Sequence, residues 1–191
     1  MQVMRWNQWI GLSLAAIGLL FGIYSFLFPH AQVVTETLSL ADGTQAQLTA
    51  RIPDRGWAGD NTSFSLKVTT QTSSNAAALL HLGARLEMGN VEVSPSGIVK
   101  RSLDEGDSTL FTWQVKAYTV GLTPGILWLY QTDATRDNYA LYGKEFSFSA
   151  NDYWGISPLI ARIGAAVVFM AGLLLWFVSS KNRQKLSPKK K

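Results

Sequence analysis

The side chains able to do chemistry in this 191-residue chain are few. Its two histidines are His30 and His81. A Ser-His-acid site would have to use one of them, and no serine sits in the G-x-S-x-G elbow such a nucleophile needs. The H-E-x-x-H, C-x-x-C-H and phosphate-loop patterns do not occur. A histidine alone in a strand is more often structural than catalytic, and nothing in the pattern supports a haem held by His30 and His81. Carboxylates gather in two turns, Asp104-Glu105-Gly106-Asp107 and the stretch from Asp133 through Asp137 to Asn138. Calcium takes about six to eight oxygens, which such turns could partly supply, but the EF-hand spacing is absent and a solvated turn explains them equally. A glycosidase would need two acids facing each other across a cleft, and no motif fixes such a pair. With no cysteine, the chain has neither a thiolate zinc site nor a disulfide scaffold. The expectation is a non-catalytic protein with no cofactor and no metal.

One further charge stands out by its surroundings. Arg162 is the only charged residue in an apolar run over residues 156–178. A second uncharged run covers residues 9–28. At about 1.5 Å per residue, each run is long enough as a helix to cross a hydrocarbon layer of about 30 Å. Trp6, Trp9, Tyr153, Trp154 and Trp176 fall near the ends of the runs, where aromatic residues favour a membrane interface. The first run is longer than a secretory h-region and ends without a small-x-small site, which predicts an uncleaved anchor. An arginine inside the bilayer is costly. Two readings of Arg162 stand side by side. Its side chain leans toward the helix N-terminus and reaches the headgroups, or it pairs with a partner's acid or a lipid phosphate. Neither run contains an acid of its own.

Small residues mark one stripe of each predicted helix. Gly11, Ala15, Gly18 and Gly22 recur at helical spacing in the first, with Gly18 and Gly22 forming a GxxxG. Ala161, Ala165 and Gly172 share a face in the second. Lipid gives helices no hydrophobic reason to associate, so close backbone approach through small residues is a main source of attraction. The two faces predict a packed pair, although either could serve another subunit.

Charge then sets orientation. All thirteen acids lie between Glu36 and Asp152 together with nine of the seventeen bases, so that stretch carries a net −4. Six of the remaining bases crowd residues 181–191, and Arg5 precedes the first run. The positive-inside rule places both tails in the cytoplasm and the middle of the chain outside. The basic tail abuts a membrane and suggests no folded basic surface, so nucleic acid is not an expected partner. Membrane lipid is, together with protein partners in a membrane complex. The boundaries read as a tail over 1–8, a span over 9–28, an outer domain over 32–150, a span over 155–178 and a basic tail over 179–191.

Within the outer segment the period changes to two. Alternation on either side of Asp42-Gly43 predicts a hairpin. Residues 53–61 read as a loop, residues 71–75 as a polar turn and 121–125 as a glycine turn. Strands are predicted near 64–69, 79–88, 91–93, 98–103, 110–117, 126–132 and 139–149. Many short strands without a helix of useful length indicate an antiparallel sandwich or barrel. Phe64, Leu66, Val68, Phe111, Trp113, Val115, Trp128, Phe146 and Phe148 are the expected core.

The stretch Leu110-Phe111-Thr112-Trp113-Gln114-Val115, followed by Gly121 and then Gly125-Ile126-Leu127-Trp128-Leu129-Tyr130, resembles the late strand pair of bacterial membrane-anchored extracytoplasmic immunoglobulin-like domains. The resemblance covers about a quarter of the chain. It implies an immunoglobulin-like β-sandwich between two transmembrane helices, and no activity, because that fold hosts many functions. The lack of cysteine points to a prokaryotic plasma membrane. The expected role is a structural or accessory subunit of a membrane or envelope complex. The alternative is a ligand-binding or sensing module that signals through a partner, since tails this short hold no output domain.

Overall fold

The computed structural model describes residues 2–27, 30–40, 45–70, 80–104, 107–133 and 136–185. The chain divides into two compact units. One comprises Met1–Phe28 with Tyr153–Lys191, the other Pro29–Asp152.

The first unit is a pair of helices, α1 (Gln2–Leu27) and α2 (Pro158–Lys185). Both overrun the apolar runs into the polar flanks. Helix propensity continues through Gln2 and Arg5 and through Lys181 to Lys185, with no breaker to stop it. Pro158 opens α2, a first-turn position where its missing N–H costs nothing. Just before it, Tyr153 and Ile156 exchange backbone hydrogen bonds of 3.3 and 3.0 Å. The two residues between them, Trp154 and Gly155, have φ of 52° and 83°. Positive φ at both central positions is the geometry of a type I′ turn.

The second unit is almost wholly β. Among the described residues its strands are β1 (His30–Ser39), β2 (Gln45–Trp57), β3 (Asn61–Thr70), β4 (Leu80–Met88), β5 (Glu92–Ser94), β6 (Val99–Leu103), β7 (Ser108–Lys116), β8 (Gly121–Asp133) and β9 (Arg136–Asn151). They hydrogen-bond into one curled sheet in the order β5-β7-β3-β2-β9-β8-β4-β6, with β1 also on β2. Alternation places Leu48, Ala50, Phe64, Leu66, Val68, Leu82, Ala84, Phe111, Trp113, Val115, Leu127, Leu129 and Phe148 in a single core.

Several expectations change. The pairing is not antiparallel throughout: Arg55, Gly56 and Trp57 of β2 run parallel to Ser149, Ala150 and Asn151 of β9. This parallel pairing joins the two halves of the sheet into one. The loop expected over residues 53–61 shrinks to residues 58–60, because β2 continues through Pro53. The proline is tolerated beside a register shift opposite His30 and Ala31, one of the places in a sheet where a missing N–H does no harm. Residues 121–125 are strand, not turn. Gly125 leaves the space that the Phe146 ring fills, since a Cβ there would sit 2.5 Å from that ring. Trp128 leaves the core list, as its side chain lies on the outer sheet face and is half-buried. Phe146 is partly buried against the core edge. The expected turn at Asp42-Gly43 and the polar turn over 71–75 lie outside the described residues.

Candidate functional site

The small residues named from the sequence are not equivalent in the helical unit. A Cβ on Gly11 would fall 2.8 Å from the Trp176 nitrogen and 2.9 Å from the Gly172 carbonyl oxygen. On Gly172 it would meet the Ala15 nitrogen at 2.4 Å, and on Gly18 the Phe169 nitrogen at 2.7 Å and the Ala165 oxygen at 2.8 Å. Backbone cannot step aside as a flexible side chain would, so glycine alone fits these three positions. Ala15 and Ala165 are buried beside them. Gly11 faces Gly172 and Gly18 faces Ala165, so the two helices run antiparallel. The contact positions 11, 15 and 18 step by four and three, and 165 and 172 by seven, the heptad period of a left-handed seam. Gly22 is not brought into the seam: a Cβ there would meet nothing within 4 Å. The GxxxG formed with Gly18 is therefore not the contact motif. Ala161 is half-buried near the helix start.

Past Gly18 the seam opens into a cleft of about 300 Å³ lined by Gly18, Gly22, Phe26, Arg162, Ala165 and Phe169 among others. Arg162 closes one end. Its Nε donates to Ser25 Oγ at 2.8 Å, its Nη2 reaches the Ser25 carbonyl oxygen at 3.5 Å, and its guanidinium lies 4.9 Å from the Phe26 ring centre. Ser25 is fully buried. The arginine thus has neutral partners inside the helix pair, a third arrangement beside the two that the sequence left open. Ser25 went unnoticed in the sequence, yet a signal was there. It lies in the last turn of α1 and Arg162 in the second turn of α2, so any antiparallel pair sets them at one depth.

The β unit carries a second cluster, on the outer face of its β4, β8 and β9 strands. Trp128 Nε1 donates to Glu87 Oε2 at 3.0 Å, and the Trp128 and Tyr130 rings stack with centres 6.3 Å apart. Gly143 pairs with Trp128 across the ladder, and a Cβ on it would come 2.6 Å from the indole ring. Arg85 and Glu87 form an ion pair at 3.0 Å next to the rings. Together these residues make a half-exposed aromatic platform with charged neighbours.

The remaining titratable groups are dispersed. His30 Nδ1 lies 3.2 Å from Asp54 Oδ1. Burial works to raise the Asp54 carboxyl, but hydrogen bonds with His30 and Arg55 outweigh it and hold the group below the usual carboxylate value. His81 Nδ1 lies 3.0 Å from Ser102 Oγ. His30 is level with Leu122 across the sheet, whereas His81 neighbours Leu82, which pairs with Gln131. Nine residues of strand separate those levels, roughly 30 Å, so the two histidines do not share a site. Lys144 donates to Glu36 at 3.0 Å. The Tyr142 hydroxyl is pushed up to about 12 by burial, then by the Glu36 charge and its hydrogen bond. Of the acidic turns, Glu105, Gly106, Ala134 and Thr135 lie outside the described residues. Among the described residues no group of three or more acids and histidines converges as metal ligands would.

No protein-family model and no curated protein sequence matches the chain. Its fold is similar to a chain of the complex between zinc 2-glycoprotein and prolactin inducible protein from human seminal plasma, with 6% identity, a TM-score of 0.40, and 64% of this chain and 97% of that one covered. It is similar to part of α2-macroglobulin from E. coli, with 13% identity, a TM-score of 0.41 and 56% of this chain covered. The chain spans only 8% of that protein. It is also similar to the PapD-like domain 7 of human CEP192, with 6% identity, a TM-score of 0.38 and coverage of 56% and 86%. None of these similarities assigns the chain to a family.

Proposed function

We propose that the chain is a two-pass membrane protein that holds an immunoglobulin-like β-sandwich outside a prokaryotic plasma membrane, both termini being cytoplasmic. In this reading it is a non-catalytic accessory subunit of a membrane or envelope complex. The observation that carries the membrane part is where the apolar surface goes. Trp6–Leu27 and Pro158–Lys181 are long enough to span, and only 22% and 11% of their most apolar windows are buried within the protein. Core helices of a soluble protein would bury that surface. Water is a poor solvent for it and hydrocarbon a good one. The basic residues from Lys181 onward support the orientation.

The accessory role draws support from the division of labour. The helices contact each other along a seam that is occupied within the chain, which leaves the β unit to face partners. A second reading, a ligand-binding module, is favoured by the Trp128 and Tyr130 platform, since stacked aromatic rings flanked by charges suit sugar or peptide ligands. The full chain, tagged after Lys191 and extracted in mild detergent, separates the two. Stoichiometric co-purifying proteins that persist in a Trp128→Ala, Tyr130→Ala variant support the accessory role. A chain without protein partners, carrying a small molecule that the same variant loses, overturns it in favour of the second.

A further inference from the structure

Three pairings fix one end of the β unit. His30 opposes Arg55, Arg55 opposes Ser149, and Ser149 opposes Leu122, so these four form one row across β1, β2, β9 and β8. In the next row Gly56, Ala150 and Gly121 lie level. Two backbone bonds of 2.7 Å continue the same end, from Ala58 N to the Asn151 oxygen and from Gly59 N to the Ala117 oxygen. Both chain connections to the apolar helices leave here, since β1 begins at His30 and β9 ends at Asn151. Because β8 runs antiparallel to β9, residues 118–120 project past the last row in the direction in which β9 leaves the sheet.

What this loop carries is unlike the rest of the unit's surface. Six large apolar side chains are exposed among the described residues of the β unit: Val33, Leu110, Tyr118, Val120, Leu122 and Tyr139. Three of the six fall within residues 118–122, at alternate positions, with exposures of 62%, 54% and 72%. Scattered singles on a surface need no explanation, whereas three at alternate positions across one loop and the start of the next strand do. Tyr118 keeps its hydroxyl on Glu92 and its ring 5.1 Å from Lys116 Nζ. That is an apolar body with polar and cationic edges, the chemistry of residues that settle at a lipid headgroup layer. Gly121, with φ of +148°, lets the chain swing from the loop into β8.

We propose that the loop over residues 118–120 and the first two residues of β8 form a membrane-contact edge, with Tyr118, Val120 and Leu122 seated in the headgroup layer of the bilayer that holds the helices. The occupant is the lipid surface because both covalent routes to the apolar helices depart from this same end. From Leu27 to His30 the chain can span only about 10 Å. The inference rests on the membrane reading, and the test tells the two apart.

The natural chain has no cysteine, so single cysteines report cleanly. Val120→Cys, Ser108→Cys and Val167→Cys in the full chain would each be labelled with the environment-sensitive fluorophore NBD. Each would be reconstituted in nanodiscs of phosphatidylcholine and phosphatidylglycerol. Ser108 is exposed at the opposite end of β7 from Lys116, and Val167 is exposed on α2. Nitroxide lipids should quench the label at 120 several-fold more than that at 108 when the nitroxide is on the headgroup. They should quench the label at 167 when it is on the acyl chain. Equal quenching at 120 and 108 with strong quenching at 167 overturns the loop and leaves the membrane reading standing. No quenching at 167 overturns both. Leu122→Cys repeats the measurement if Val120→Cys does not fold.

Discussion

In the β unit Phe111, Trp113 and Phe148 are almost wholly enclosed. In the helical unit Leu20, Phe26 and Leu27 are mostly exposed, although they are no less apolar. The β unit excludes water by folding its apolar side chains inward. The helical unit turns glycine and alanine inward and its bulky side chains outward. The difference shows that hydrophobicity alone does not choose the inside. In water the large residues take the core, whereas in lipid they gain nothing by hiding, and the small residues take the contact because only they let two backbones meet.

The comparison breaks most readily at Trp113. Trp113→Ala should destabilise the β unit by about 3–5 kcal/mol, the usual cost of emptying a buried aromatic site. Trp113→Phe should be much milder, since the indole N–H finds no acceptor among the described residues and its loss forfeits no bond. Urea unfolding followed by tryptophan fluorescence of the full chain in micelles checks both. An alanine variant as stable as the parent would mean that the enclosed core does not hold the unit together.

A smaller effect, confined to the other unit, is expected at the seam. Gly18→Leu with Gly172→Leu should abolish cysteine cross-linking between α1 and α2, because backbone lies under 3 Å from each missing Cβ. Gly22→Leu should leave cross-linking intact. The urea midpoint of the β unit should not move in either case. Cross-linking lost equally in all variants would mean that the helices meet through bulk composition and not through this seam.

The smallest effect is a pH dependence. Tyr142 keeps its proton in the folded chain up to about 12, whereas the free side chain releases it near 10.0. Its stabilising contribution is complete below 10, then declines as pH rises through about 12, because over that interval the unfolded chain gives up a proton that the folded chain retains. Tyr142→Phe should therefore flatten the alkaline limb of stability against pH. Melting curves of the two proteins between pH 8 and 12 would show it.

Much of the architecture was legible because two periods are hard to confuse. Long uncharged runs led to α1 and α2, and alternation led to most strands and to seven of the nine expected core residues. Trp128 was misplaced because Ile126-Leu127-Trp128-Leu129-Tyr130 is apolar at every position, so a period of two cannot say which face is inner. Strand β2 was cut short because Pro53, Gly56 and the nearby acids are turn formers locally. Only the pairing with β1 and β9, distant in sequence, holds them extended. At the seam, composition pointed to the right residue types but not to the phase. Gly22 sits on the same stripe as Gly18, and whether a second helix reaches it depends on where the pair diverges. Ser25 escaped notice because its signal is its depth in an antiparallel pair and not its residue type, and that depth is read only once the two helices are paired.

The seam also sets the combining capacity of the helical unit. Gly11, Ala15 and Gly18 spend their close-approach surface on Gly172 and Ala165 of the same chain. Two glycines keep open space around them, Gly22 and Gly164, and Ser13, Ala16, Ala166 and Ala171 are exposed. Counted as a valence, the pair has used three of its glycines on itself and keeps two open toward the end marked by Arg162. A third helix could bring its backbone closest there. At exposed Ala16 and Ala171 it would still meet a methyl group, and elsewhere mostly leucine, isoleucine, valine and phenylalanine.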